Sequence, residues 1–417
     1  MDTKQLTPKM HGVEEKGPHR IDNDELYRRS TQYRYWSFDE EKIEDLRIKV
    51  NKRGQEIFNN RILKLDDEII KKFLNNEKNF KNITVNEERL IIIYYARKCK
   101  DLSNFFKFKT QVRLTAISYL FKFYLIHSIM EYYPQQIMYT CLYLSAKSEN
   151  NFIGINNFSK AIPKTTPESI LKFEYLILDS MRFSLMCHHS IKPLYGFYLD
   201  IQNVLIKLDF NRLYKDYLLC RDLINESIFN DIQFLFTPPQ IALASLYIID
   251  DVVCMRYLMR KFGVKRKQMI IKMNQLKNNE KEDIKIKKDI IIKEEIKDST
   301  NDIDNDDNID DDDGGSSNDE KSKKEKKQTP IERYEKMIEI IKACAIKMKE
   351  NINPTVEEAK IISLKAHFCL DPVKYFKKIS RDVTPINVNT DNTDNNSVKR
   401  ENTDDDINDD IKRIKVE

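Results

Sequence analysis

Three residues with zinc-binding side chains stand in a row at Cys187-His188-His189, but adjacent residues cannot wrap one tetrahedral ion, and no second cluster lies near them in sequence. Asp302-Ile303-Asp304-Asn305-Asp306 starts like a calcium loop, yet its sixth position is Asp307, where the sharp turn needs Gly, and its twelfth is Asp313 in place of Glu. Both read as features without a metal. The six histidines (11, 19, 127, 188, 189, 367) have no carboxylate or nucleophile pattern around them, and GxSxG, HExxH and protein-kinase signatures are missing. The 8 glycines in 417 residues fall far below average usage of about 7%, and none has GxGxxG or P-loop spacing. The residues therefore imply no catalytic site, no cofactor and no enzyme.

Charge does not select a partner, because 71 Lys and Arg face 67 Asp and Glu. A basic run of Arg256, Arg260, Lys261, Lys265, Arg266, Lys267 and Lys272 has a helical period and reads as a solvated face, so no direct nucleic-acid contact is expected. Lys399-Arg400 and Lys412-Arg413-Ile414-Lys415 have the pattern of a bipartite nuclear import signal. Seven scattered cysteines without a CxxC pair fit free thiols in a reducing compartment. The most apolar window, Gln240 to Met255, contains Asp250 and Asp251 and is too short to span a bilayer; a soluble intracellular chain with no membrane contact is expected.

Helix signals recur at short intervals. Ser37, then Asp39, Glu40 and Glu41, reads as a helix start beside the only Trp, and Thr84-Val85-Asn86-Glu87 is a capping box. Residues 110 to 130 are apolar on nearly every face, which places that helix at the centre of a bundle. Pro134 opens the next helix, and Thr166-Pro167-Glu168 opens a later one through Phe173, Glu174 and Ile177.

Pro134-Gln135-Gln136-Ile137, with Leu142-Tyr143-Leu144 behind it, returns 104 residues later as Pro238-Pro239-Gln240-Ile241 with Leu246-Tyr247-Ile248. The expectation is an all-α fold of two tandem five-helix units. Lys147 in the first copy aligns with Asp251 in the second. Asp302 to Glu320 holds nine Asp and too few apolar residues to fold, and periodicity resumes at Pro330-Ile331-Glu332 and again beyond Pro354. The expected organisation is a tail over 1–32, an N-terminal helix and linker over 33–83, a first box over 84–190, a second over 191–350 interrupted by an unfolded acidic insert at about 278–329, a helix over 351–380 and a tail over 381–417.

Ser118-Tyr119-Leu120-Phe121-Lys122-Phe123-Tyr124-Leu125, Ser128-Ile129-Met130-Glu131-Tyr132-Tyr133-Pro134 and Thr140-Cys141-Leu142-Tyr143-Leu144-Ser145-Ala146-Lys147 resemble the first box of the cyclin family, and within it the cyclin H branch. Tyr35-Trp36-Ser37-Phe38, Phe183-Ser184-Leu185 with Pro193-Leu194-Tyr195-Gly196-Phe197, and Leu235-Phe236-Thr237-Pro238-Pro239-Gln240-Ile241-Ala242-Leu243 extend the resemblance over residues 33 to about 370, the acidic insert excepted.

The resemblance implies a regulatory subunit that binds and activates a cyclin-dependent kinase, with Lys147 and Glu174 hydrogen-bonding the backbone of the kinase's regulatory helix. Leu144, Leu178, Phe183 and Leu185 are its implied apolar contacts, although periodicity alone would put them in the core. It further implies a nuclear complex with a RING-finger assembly subunit and the transcription factor IIH core, acting on activation segments of other cyclin-dependent kinases and on the RNA polymerase II repeats. Ser148-Glu149-Asn150 departs from the family pattern after Lys147. Glu87-Glu88-Arg89-Leu90 occupies the place of the Met-Arg-x-Ile-Leu substrate-docking helix start of cell-cycle cyclins. The rival readings are another transcriptional cyclin and a cyclin-fold DNA-binding initiation factor similar to transcription factor IIB. That last family usually carries an N-terminal zinc ribbon, and residues 1 to 80 contain no cysteine.

Overall fold

The computed structural model describes residues 27–64, 82–206, 208–265, 329–350 and 352–374. The calcium-like run, the acidic insert, both polar tails apart from residues 27–32, the import pattern and the basic residues from Arg266 onward lie outside them. Among the described residues the regular structure is helical, without strands. In chain order the helices are α1 (Thr31–Trp36), α2 (Glu40–Leu63), α3 (Val85–Phe105), α4 (Thr110–Tyr124), α5 (Pro134–Ser148), α6 (Ile155–Lys160), α7 (Pro167–Leu171), α8 (Glu174–Ser180), α9 (Ile191–Val204), α10 (Phe210–Ser227), α11 (Ile232–Leu235), α12 (Pro238–Ile249), α13 (Asp251–Lys261), α14 (Pro330–Lys349) and α15 (Val356–Leu370). None is long and apolar enough to cross a membrane.

Local chemistry sets the helix starts. Thr84, Thr329 and Thr355 each form a reciprocal capping box, with Glu87, Glu332 and Glu358. Pro134 and Pro238 are both first helical residues, where a missing N–H costs nothing. The α2 start falls on Asp39, whose side chain makes no cap bond, with Glu40 and Glu41 against the positive helix end. The single helix expected from Thr166 is two: α7 ends at Leu171, and Phe173 becomes the N-cap of α8, its ring 6.1 Å from that of Tyr132.

The chain divides into two compact units. The first comprises the described residues of Met1–His189, Ser227–Thr237 and Asn351–Glu417, and the second those of Ser190–Glu226 and Pro238–Glu350. In the first, α4 is central, with Val112, Ala116, Ile117, Tyr119, Leu120 and Phe123 fully buried, and it packs on α3 and α5. In the second, α12 is central against α9, α13 and α14. The repeat in the sequence thus pairs α5 of the first unit with α12 of the second. They end differently: Lys147 lies within α5, whereas α12 stops at Ile249 and Asp250 caps α13.

Two distant segments complete the first unit. Asp231, beside α11, takes both guanidinium nitrogens of Arg47 and lies 3.2 Å from Arg89, while Phe38 N–H donates to the Phe234 carbonyl at 2.9 Å. Near α15, Arg61 donates to the carbonyls of Met130 (2.7 Å) and Cys369 (3.0 Å), and the His367 ring lies 3.9 Å from that of Tyr133. Gly54 lets α2 approach closely, since a Cβ there would lie 2.7 Å from Ser128 Cβ and 2.8 Å from Met130 Cε.

Candidate functional site

The zinc-type trio points in three directions. His189 Nε2 meets Thr115 Oγ1 at 2.7 Å, His188 is exposed with its ring edge-on to Tyr27, and Cys187 Sγ lies 3.4 Å from Lys122 Nζ. Among the described residues no three His, Cys, Asp or Glu side chains converge as metal ligands would. In the basic run, Lys261 of α13 pairs with Asp200 at 2.7 Å.

Lys147 and Glu174 do converge. Pro134 starts α5, which places Lys147 in its last turn, where a cation suits the negative helix end; Glu174 is the first residue of α8, where an anion suits the positive end. Lys147 Nζ donates to Glu174 Oε1 and sits 5.3 Å from the centroid of the Tyr143 ring. The pair stays open to solvent, with side-chain exposures of 43% and 20%. An ammonium has three protons and a carboxylate about four acceptor positions, so the pair retains both donors and acceptors for another backbone.

The implied apolar contacts separate. Leu144 is a core residue at 4% exposure, Leu178 and Leu185 are half-buried, and Phe183 is 58% exposed. Phe183 is held outward by a turn in which Arg182 and Phe183 both take left-handed backbone (φ 52° and 54°), a conformation costing non-glycine residues about 1–2 kcal/mol each. Hydrogen bonds from Arg182 N to Asp179 O (2.8 Å), Phe183 N to Leu178 O (2.9 Å) and Ser184 N to Met181 O (3.0 Å) hold the turn. Trp36 Nε1 donates to Ser184 Oγ at 3.2 Å, which ties α1 to it.

Sequence reasoning missed Tyr175, 71% exposed on α8, whose ring lies 6.2 Å from that of Phe183 at 67°. Leu171, Phe152 and Met186 are also exposed. The only local signal was the large side chains themselves, since nothing in the residue types around Phe183 marks a left-handed backbone.

Of Ser148-Glu149-Asn150, the first two turn inward and Asn150 stays exposed. Glu149 accepts from Thr115 Oγ1 (2.7 Å) and Gln111 Nε2, so the Thr115 hydroxyl, its proton given to Glu149, accepts from His189 Nε2. The Tyr119 hydroxyl donates to the Leu185 carbonyl at 2.6 Å and lies 3.0 Å from Ser148 Oγ. Asn150, at φ 53°, ends α5 in the left-handed cap that Asn tolerates. Ser148 of this departure thus meets the same Tyr119 hydroxyl that holds the Leu185 carbonyl. Glu87, Glu88 and Arg89 are likewise engaged within the chain, with Lys365, Ser128 and Asp231.

A duplicated helical bundle with an open ion pair beside exposed aromatic rings defines a protein-docking surface. Residues 62–186 match the model of the cyclin N-terminal domain, and residues 189–349 that of the cyclin C-terminal domain. The chain is 38% identical over 273 residues to cyclin CCL1 of Saccharomyces cerevisiae, covering 63% of this chain and 68% of that one. It is 31% identical over 229 residues to a putative cyclin-H of Dictyostelium discoideum, covering 53% and 74%. The structure of the CAK complex from Chaetomium thermophilum bound to ATP-gamma-S contains a chain of the same fold (TM-score 0.62, 20% identity, 90% of this chain and 100% of that one). This chain belongs to the cyclin family. It is a regulatory subunit of a protein kinase and not itself a catalyst.

Proposed function

We propose that this chain binds and activates the cyclin-dependent kinase of a kinase-activating complex, the role implied by the cyclin H branch. The observation that carries the reading is the Lys147–Glu174 pair set at facing helix ends beside Tyr175 and Phe183. An active protein kinase needs the Glu of its αC helix paired with a strand Lys, and a surface that binds only the inward αC position shifts the kinase toward that state. The differential energy comes from the rings: covering a Phe fully is worth about 1.5–3 kcal/mol, so the exposed parts of Phe183 and Tyr175 supply about 3 kcal/mol together. Leu144, already buried, supplies its share through the fold. Lys147 and Glu174 fix the register of the kinase helix through its backbone. The RING-finger subunit, the transcription factor IIH core and nuclear placement follow from the same reading, which the similarity to cyclin CCL1 and cyclin-H supports.

The test is to purify the chain from its own cells, identify its companions by mass spectrometry and assay a polymerase-repeat peptide. A kinase with a RING-finger protein and repeat activity is expected. The Lys147→Ala/Glu174→Ala double variant should lose kinase activity at least tenfold with unchanged thermal unfolding. Full activity in that variant would refute the site, and a different kinase in the eluate would make the chain another transcriptional cyclin.

A further inference from the structure

In the second unit, α9 and α10 bring four tyrosines into one stack. The rings of Tyr198 and Tyr217 lie 4.9 Å apart, Tyr195 lies 6.4 and 6.2 Å from them, and Tyr214 lies 6.5 Å from Tyr217, nearly parallel at 26°. Elsewhere in this fold tyrosine hydroxyls find partners, as Tyr119 does at the Leu185 carbonyl and Tyr124 at the Tyr132 carbonyl. The four hydroxyls of the stack make no hydrogen bond among the described residues. Tyr195 and Tyr214 are each 52% exposed; Leu199, one turn beyond Tyr195, and Phe210, one turn before Tyr214, are exposed as well. Gly196 follows Tyr195 inside α9, where glycine weakens a helix relative to alanine. Apart from its own turn of helix, a Cβ there would meet nothing within 4 Å, so packing inside the chain does not call for a glycine at this point.

We propose that this stack is a docking surface for a proline-rich segment of another protein, bound in the polyproline II conformation. Such segments dock on aromatic-lined surfaces because their helix is already formed and little conformational freedom is left to lose. The hydrogen-bonding chemistry of the two sides matches. Polyproline II has no internal hydrogen bonds and proline has no N–H, so its prolines present carbonyl acceptors alone, and the stack presents four hydroxyl donors. A docked α-helix has its backbone carbonyls already bonded and would leave those donors unused. The bare backbone of Gly196 lets the segment come close to α9. The occupant comes from outside this sequence, because no two of its 12 prolines stand three residues apart, as a PxxP segment requires.

The test titrates a fluorescein-labelled decaproline peptide with the full chain and follows its anisotropy, with a helical EAAAK-repeat peptide as the control. Decaproline should bind saturably in the sub-millimolar range, and the control should not. Gly196→Ala should keep or raise the thermal unfolding midpoint, because alanine is the better helix former and meets no obstacle, while weakening decaproline binding about tenfold through the new methyl group. Tyr214→Phe keeps the ring, removes one donor and should weaken binding about fivefold. Absence of saturable binding overturns the proposal, as does an affinity that Gly196→Ala leaves unchanged. Equal or tighter binding of the helical peptide overturns it in favour of a helix, and a dimer seen by sedimentation that Gly196→Ala dissolves overturns it in favour of a second copy.

Discussion

Glu88 is a carboxyl group whose ionisation the first unit resists. It lies on α3 at 6% exposure, and Ser128 Oγ donates to its Oε1. Burial outweighs the hydrogen bonds from Ser128, Asn51 and the Ile129 backbone, so its pKa rises to about 7 from the ordinary 4.5, with the charge of Glu131 adding to the rise. The folded chain thus keeps a proton that the unfolded chain loses. The stability it contributes is fully present below pH 4.5 and is lost as pH rises through 7, and at about 1.36 kcal/mol per pH unit that loss is about 3 kcal/mol. Glu88→Gln keeps the size and the acceptor for Ser128 and never ionises. It should match the native chain near pH 4.5 and exceed its stability by about 3 kcal/mol at pH 8. Urea unfolding can be followed through Trp36, the single tryptophan, which is 5% exposed in the same unit. Because other groups titrate equally in both proteins, the difference between the two curves isolates Glu88. A difference that is the same at pH 5 and pH 8 would refute the reasoning.

Gly54→Ala should destabilise the first unit by about 1–3 kcal/mol, because its new Cβ must displace Ser128 and Met130 in a packed interior; the urea midpoint read through Trp36 checks this. Leu144→Ala and Phe183→Ala should behave oppositely. The first empties core volume and should cost about 2–5 kcal/mol of stability, whereas the second, 58% exposed, should leave unfolding within about 0.5 kcal/mol of the native chain while weakening kinase binding measured by calorimetry.

Much of the fold was legible because helix starts are local chemistry. The Thr84 capping box, Pro134 and Pro238 act on backbone groups within a turn of themselves, and all three open helices where their residue types indicate. The apolar girth of residues 110–124 states burial without naming a neighbour, and α4 is the central helix of its unit. The 104-residue echo between α5 and α12 needed no contact to be seen.

The site was legible in part. Lys147 and Glu174 stood out only through the family resemblance, since their residue types alone describe two surface charges. That they meet depends on α5 ending and α8 beginning side by side, 27 residues apart. Periodicity could not separate Leu144 from Phe183. One faces the core, while the other is turned to solvent by two left-handed residues that hydrogen bonds to Asp179 and Leu178 stabilise. Ser148-Glu149-Asn150 looked like a change to the docking edge, and only the approach of Gln111, Thr115 and Tyr119 shows the first two turned beneath it. Likewise, nothing local in Asp231 announces that it anchors Arg47 from 184 residues away. The sequence by itself determined where helices start and which are buried, because capping and amphipathicity are short-range. Which side chains remain open to a partner was decided by the tertiary structure, because exposure depends on residues that are distant along the chain.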